Sequence, residues 1–195
     1  RSQDLYLIHF PTIVDSPHAV WTAFESLVSS SLVRTIGVSN YDVPTLLSLL
    51  SFASIPPAIN QIRYHPYNTI EQAPVLELAR KEGIVTAAYS ALSPLTKIEW
   101  QGGPVDAVLR EVGERHKWTE GQVILEWVKE KGILVVTCVL LPRSYRRGAD
   151  GVNRTSGQEF RQKEQLNVFG PRWGKLSGEE VERLEKAGRR GERRE

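Results

Sequence analysis

Four short apolar runs in this chain each stop on side chains that can hydrogen-bond, stack or titrate. Leu5 to Ile8 ends on His9. Val33 to Val38 ends on Ser39 and Asn40. Ala58 and Ile59 lead into Asn60 and Gln61, and Ile84 to Ala88 ends on Tyr89 and Ser90. Amides and hydroxyls gathered in one place can hold a planar amide or carbonyl by paired donors and acceptors. A tyrosine among them can stack on a flat ring. The set reads as a neutral polar rim for a ring-bearing ligand. Each member also has a plainer reading. His9 can be a hydrogen-bonded packing residue, and Asn40 can simply make a turn, since asparagine tolerates left-handed geometry. Asn60 and Gln61 can serve loop backbone, and Tyr89 can be core. Recurrence at four successive strand ends is what favours a site.

The elements that must position these residues alternate along the chain. After the first strand, Ser16-Pro17 reads as a cap and first helical residue. Val20, Trp21, Phe24, Leu27 and Val28 then recur at helical spacing. Asp42 can cap a second helix carrying Leu46, Leu47, Leu49 and Leu50. Thr69 and Gln72 have capping-box spacing, but Pro74 is expected to push the regular helix start later. Gly83 and Gly132 read as helix stops. Pro104 opens a further helix, and Thr119 with Gln122 and Ser177 with Glu180 make two more capping boxes. Ile133 to Val136 is a fifth strand candidate. Strand–helix alternation implies parallel βαβ units, in either a (β/α)8 barrel or a doubly wound sheet. No Gly-x-Gly-x-x-Gly follows any strand, which weakens the second. In a barrel, the carboxyl ends of the strands face one common mouth.

Composition narrows the function classes. The 195 residues are 41% hydrophobic and 25% charged, with a formal net charge of +2. That balance suits a globular domain and gives no argument for nucleic acid. No run approaches the ~18 apolar residues of a membrane helix, and no signal-peptide pattern opens the chain. The single cysteine, Cys138, excludes an internal disulfide and fits a reducing, cytoplasmic setting. The chain has no methionine and begins with Arg1, so it reads as a fragment cut within a fold.

The stretches LYLIHFP, IGVSNY, PAINQIRYHPY, GIVTAAYSALSPL and VILEWV resemble the successive signatures of the aldo-keto reductases, in order and spacing. The details IHFP, ALSPLTK and KEQLNVF are most similar to fungal members. The resemblance implies a partial (β/α)8 barrel over residues 1–188, comprising about the last five βα units; the charge run GRRGERRE at the end of the chain reads as a disordered basic tail at 189–195. It also implies NADPH as cofactor, a small carbonyl substrate reduced by hydride transfer, and a monomer in the intact enzyme. By the same resemblance, His9 orients the substrate carbonyl. Ser39, Asn40 and Gln61 hold the nicotinamide carboxamide, and Tyr89 stacks on its ring. Ser90 and Leu92 contact the pyrophosphate. In TSGQEFRQKEQ, Ser156 and Arg161 would grip the adenosine 2′-phosphate, while Glu164 and Gln165 contact adenine. An arginine offers a phosphate a fixed fork of donors.

The sequence departs from that family in ways that carry expectations. The family's catalytic tyrosine, lysine and aspartate have no counterpart here. Without the general acid, the fragment alone is expected to be inactive, since that group contributes about 10²–10⁴-fold. An open barrel edge is expected to leave it poorly stable. Arg63 stands where a glutamate is usual, and Ala91 where a proline is usual, which is expected to loosen the following loop. Residues 138–154 interrupt the pattern and read as a translated intron or gene-model error, with a genuine surface loop as the alternative. The rival functions are a non-catalytic barrel that binds cofactor or a partner chain, and a Schiff-base lyase or aldolase. No strand here ends on lysine, which counts against the latter.

Overall fold

The computed structural model describes residues 2–13, 16–137, 163, 165–170 and 173–192. Five strands hydrogen-bond in the order of the sequence: β1 (Gln3–Ile8), β2 (Val33–Ser39), β3 (Ile59–Arg63), β4 (Val85–Tyr89) and β5 (Leu134–Val135). Between them lie α1 (Pro17–Ser29), α2 (Val43–Leu50), α3 (Thr69–Lys81), α4 (Ser93–Thr96), α5 (Pro104–His116) and α6 (Glu120–Glu130), and α7 (Gly178–Glu192) follows. β1 runs parallel to β2 and β2 to β3, with Ile8 beside Val38 and Ser39 beside Gln61. The chain forms two compact units. One comprises residues 1–63 and 71–87, the other residues 64–70 and 88–195. The α/β alternation expected from the sequence is present.

In the first unit, β-branched side chains of β1 and β2 pack with side chains of α1 and α2. Ile8, Trp21, Val33, Ile36, Val38, Leu46 and Leu49 form a buried cluster with Tyr41, Ala79 and Ile84. Trp21 is fully buried and donates its indole N–H to the Ile55 carbonyl at 3.0 Å. Asp42 caps α2, accepting from the Thr45 amide at 3.0 Å and its hydroxyl at 2.5 Å. Those bonds hold the Asp42 carboxyl below its ordinary value. Ser16 differs from expectation, because it starts α1 through its carbonyl alone, with no side-chain cap bond.

Three further expectations meet a different outcome. The apolar run predicts a buried β1, yet Leu5 is 42% and Tyr6 48% exposed. The strand has a neighbour on one side only among the described residues. The second concerns α3, which starts at Thr69 and carries Pro74 inside it. Proline removes a single intrahelical bond there, and the turn before the helix is fixed independently. In that turn, Pro66–Asn68, His65 Nδ1 accepts from the Tyr67 amide, and Asn68 Oδ1 accepts from the His65 amide at 2.9 Å. Finally, α7 continues through Glu192, four residues into the stretch expected to be a disordered tail.

In the second unit, α7 packs on α5 and on the Pro66–Asn68 turn. The expected Ser177–Glu180 box is present: the Ser177 amide and hydroxyl donate to Glu180 Oε2 at 2.8 and 3.0 Å, and the Glu180 amide donates back to Ser177 Oγ. Glu180 Oε1 also lies 2.9 Å from His116 Nε2 and 3.1 Å from Arg115 Nη1 on α5. Burial pushes this carboxyl up, but the Ser177 and His116 bonds outweigh that and hold it below its ordinary value. A group depressed in the native state stabilises above its unfolded pKa, and that stability is lost as pH falls through the native one. We therefore expect the α5–α7 clasp to weaken as pH drops below the ordinary glutamate value of 4.5. Glu180→Gln should flatten this acid limb in urea melts recorded across pH. An unchanged acid limb would contradict the assignment.

Candidate functional site

Parallel register brings the ends of β1 and β2 beside the middle of β3, so residues far apart in the chain meet in the first unit; Asn60 and Gln61, expected at a strand end, lie inside β3, which runs on to Arg63. Ser39 is buried and donates its hydroxyl to the Gln61 carbonyl at 2.7 Å. The Asn40 amide N–H donates to the same carbonyl at 2.9 Å. Asn40 Nδ2 then lies 3.0 Å from both the His9 carbonyl and Ser39 Oγ, donating to each. His9, Ser39, Asn40 and Gln61 are thus one hydrogen-bonded set. His9 itself is exposed, with its ring 4.5 Å from that of Phe10. The packing reading of His9 fails on that exposure.

The turn reading of Asn40 is met. Its φ is +62°, the left-handed region that asparagine tolerates, and its side chain also ties two strand ends together. What holds this bend is Asn60. Fully buried, it donates from Nδ2 to the Tyr41 carbonyl at 2.9 Å and accepts from the Tyr41 amide at 3.4 Å. Asn60 therefore serves backbone, whereas the side chain of its neighbour Gln61 is half-buried. Burial alone pushes the Tyr41 hydroxyl up, so it stays protonated beside this bend.

The end of β4 repeats the device in the second unit. Tyr89 is half-buried, and Ser90 is exposed with φ +56°. The Ser93 amide donates to the Ser90 carbonyl at 3.0 Å, closing a turn across Ala91 and the half-buried Leu92. Ala91 is buried, so the turn is packed at the position expected to loosen it. Sequence reasoning missed the support behind Tyr89. The Tyr64 amide donates to the Tyr89 carbonyl at 3.3 Å, and the buried Tyr64 ring stacks on Trp127 at 5.2 Å with planes 6° apart. No local signal announces this contact, because its partners lie on β4, α6 and the stretch after β3. Arg63 is half-buried.

Of the residues expected to meet adenine and the 2′-phosphate, Gln165 is described and buried. Ser156, Arg161 and Glu164 lie outside the described residues, as do residues 138–154. Among the described residues no three His, Cys, Asp or Glu side chains group as metal ligands, and no helix is long and apolar enough to cross a membrane. The side chains of Ser39, Asn40 and Gln61 are a hydroxyl and two carboxamides, all uncharged. That suits a planar carboxamide such as nicotinamide, and it offers no charged partner to an anion.

Comparison with known proteins gives concordant matches. The model of the aldo/keto reductase family matches residues 2–154. A probable NAD(P)H-dependent D-xylose reductase of Emericella nidulans is 36% identical over 165 residues, covering 68% of this chain and 51% of that protein. An NAD(P)H-dependent D-xylose reductase of Aspergillus niger is 33% identical over 179 residues, covering 75% and 56%. The chain thus spans about half the length of the curated relatives it matches. Among solved structures, an aldo/keto reductase from Brucella melitensis superposes with TM-score 0.72 at 28% identity, over 95% of this chain and 61% of that one. The D53A mutant of Gox0644 in complex with NADPH superposes with TM-score 0.75 at 26% identity, over 95% and 59%.

Proposed function

The chain belongs to the aldo/keto reductase family, and from that premise we propose that it supplies the nicotinamide-holding and carbonyl-orienting parts of an NADPH-dependent carbonyl reductase site. The observation that carries the reading is the hydrogen bonding of Ser39 and Asn40 to the His9 and Gln61 carbonyls, which ties the ends of β1 and β2 to the middle of β3. In this reading Ser39, Asn40 and Gln61 hold the carboxamide, whose two donors and one acceptor match a hydroxyl and amides. Tyr89 stacks on the nicotinamide face, and Ser90 and Leu92 border the pyrophosphate. His9 presents an exposed imidazole to the substrate carbonyl and orients it. Gln165 meets adenine, and Ser156, Arg161 and Glu164 are assigned to the same end of the cofactor. The reduced nicotinamide, when bound, supplies hydride to an aldehyde or ketone carbon.

The same residues also serve a chain that binds cofactor without turnover. The bonds of the set reach His9 and Gln61 through their backbone carbonyls and no titratable side chain takes part in them, which favours keeping this second reading. NADPH fluorescence titration tests binding, and consumption of NADPH with an aldehyde tests turnover. Tyr89→Ala should weaken NADPH about tenfold, the scale of one lost aromatic stack. Unchanged affinity in that variant would remove the stacking assignment. Binding without NADPH consumption would select the non-catalytic reading.

A further inference from the structure

Lys129, on α6, makes two charge-assisted bonds. Its Nζ donates to Glu126 Oε2 at 2.7 Å and to the Val168 carbonyl at 2.6 Å. The ammonium also lies 5.5 Å from the centre of the Phe169 ring. Val168 is fully buried, and its amide donates to the Gln165 carbonyl at 3.3 Å. Two more bonds of the same kind follow, Phe169 to Leu166 at 3.0 Å and Gly170 to Asn167 at 2.9 Å. One ammonium therefore holds a tightly wound turn that begins at the buried Gln165. Glu126 is 2% exposed; burial pushes its carboxyl up, and the Lys129 bond opposes that. Such a pair is costly to bury, and replacing it by apolar groups is often neutral for stability. Stability is thus a weak reason for its presence, and placing the turn is a stronger one. The neighbouring residue Trp127 backs Tyr64 and, through it, Tyr89.

We propose that Lys129 is a positioning residue for the adenosine half of the cofactor, acting through the Val168 carbonyl to place Gln165, with Glu126 fixing the ammonium. This rests on the reading of Gln165 as an adenine contact. α6 would then set both ends of the cofactor site, Trp127 at the nicotinamide end and Lys129 at the adenine end.

Equilibrium binding of NADPH and of 2′,5′-ADP, which carries the adenosine end alone, tests this on the full chain. Lys129→Met should weaken both ligands by the same factor, about tenfold for a lost charge-assisted bond. Lys129→Arg should restore most of the loss, since a guanidinium can still donate to both oxygens. Lys129→Met strands a buried carboxylate, so the double variant E126Q/K129M serves as the fold-preserving form and should show the same loss. Undiminished 2′,5′-ADP affinity in the double variant would overturn the proposal. So would a larger loss for NADPH than for 2′,5′-ADP, because that is the mark of general loosening. If the unsubstituted chain binds NADPH but not 2′,5′-ADP, the Gln165 assignment falls. If it binds neither, the reductase reading falls first.

Discussion

Trp127→Ala is expected to cost about 3–5 kcal/mol in urea-induced unfolding, the usual range for a large aromatic deleted from a packed interior. Trp127 is fully buried and stacks on Tyr64 at 5.2 Å. Its indole N–H is buried with no hydrogen-bond partner among the described residues. The side chain therefore contributes through packing, and a buried N–H without a partner opposes that contribution. Trp127→Phe should then lose only a small part of what Ala loses, since it keeps a ring against Tyr64 and removes an unpaired donor. Equal losses in the two variants would mean the N–H has a partner and the packing account is wrong. The Ala variant should also weaken NADPH, because Tyr64 holds the Tyr89 carbonyl.

Gly188→Ala separates local preference from packing by sign. Alanine is the better helix former by about 1 kcal/mol, so helix propensity alone predicts stabilisation. In α7, however, a Cβ on Gly188 would fall 1.8 Å from the Pro66 carbonyl oxygen and 2.6 Å from its carbon. Both are backbone atoms and cannot rotate away. Gly191, one turn on, faces Tyr67 in the same manner, with 2.4 Å to Cε1. We expect Gly188→Ala to destabilise by about 2–3 kcal/mol, the upper part of the range for overpacking, and to lift α7 off the Pro66–Asn68 turn. Gly178→Ala is the control, because its Cβ would meet nothing within 4 Å. Circular dichroism during urea titration reads both. A stabilised Gly188→Ala variant would show that α7 does not seat there.

Much of the scaffold is legible in the sequence because its signals are local. Short apolar runs mark the strands and period-3.6 apolar spacing the helices, and the Thr119–Gln122 and Ser177–Glu180 boxes appear as spaced. The helix stops at Gly83 and Gly132 have φ +70°. Failures come where a local rule meets a neighbour. Pro74 predicts a late start for α3, but the His65–Asn68 turn starts the helix before it. GRRGERRE looks like a solvated tail by charge, yet its glycines admit Pro66 and Tyr67.

The sequence by itself determined the alternation of strands and helices and the chemical types at the strand ends. β1 and β4 end where their apolar runs end, which is written in adjacent residues, whereas β3 runs on through Asn60 and Gln61 to Arg63. Tertiary structure alone decided which polar side chains hold backbone. Asn60 and Gln61 are neighbours in an amide pair that sequence cannot divide. Alternation of side chains along β3 sends Asn60 inward to clamp Tyr41 and leaves Gln61 half-buried beside Ser39. The same holds for Lys129, an ordinary helix lysine until folding sets the Val168 carbonyl within 2.6 Å of it.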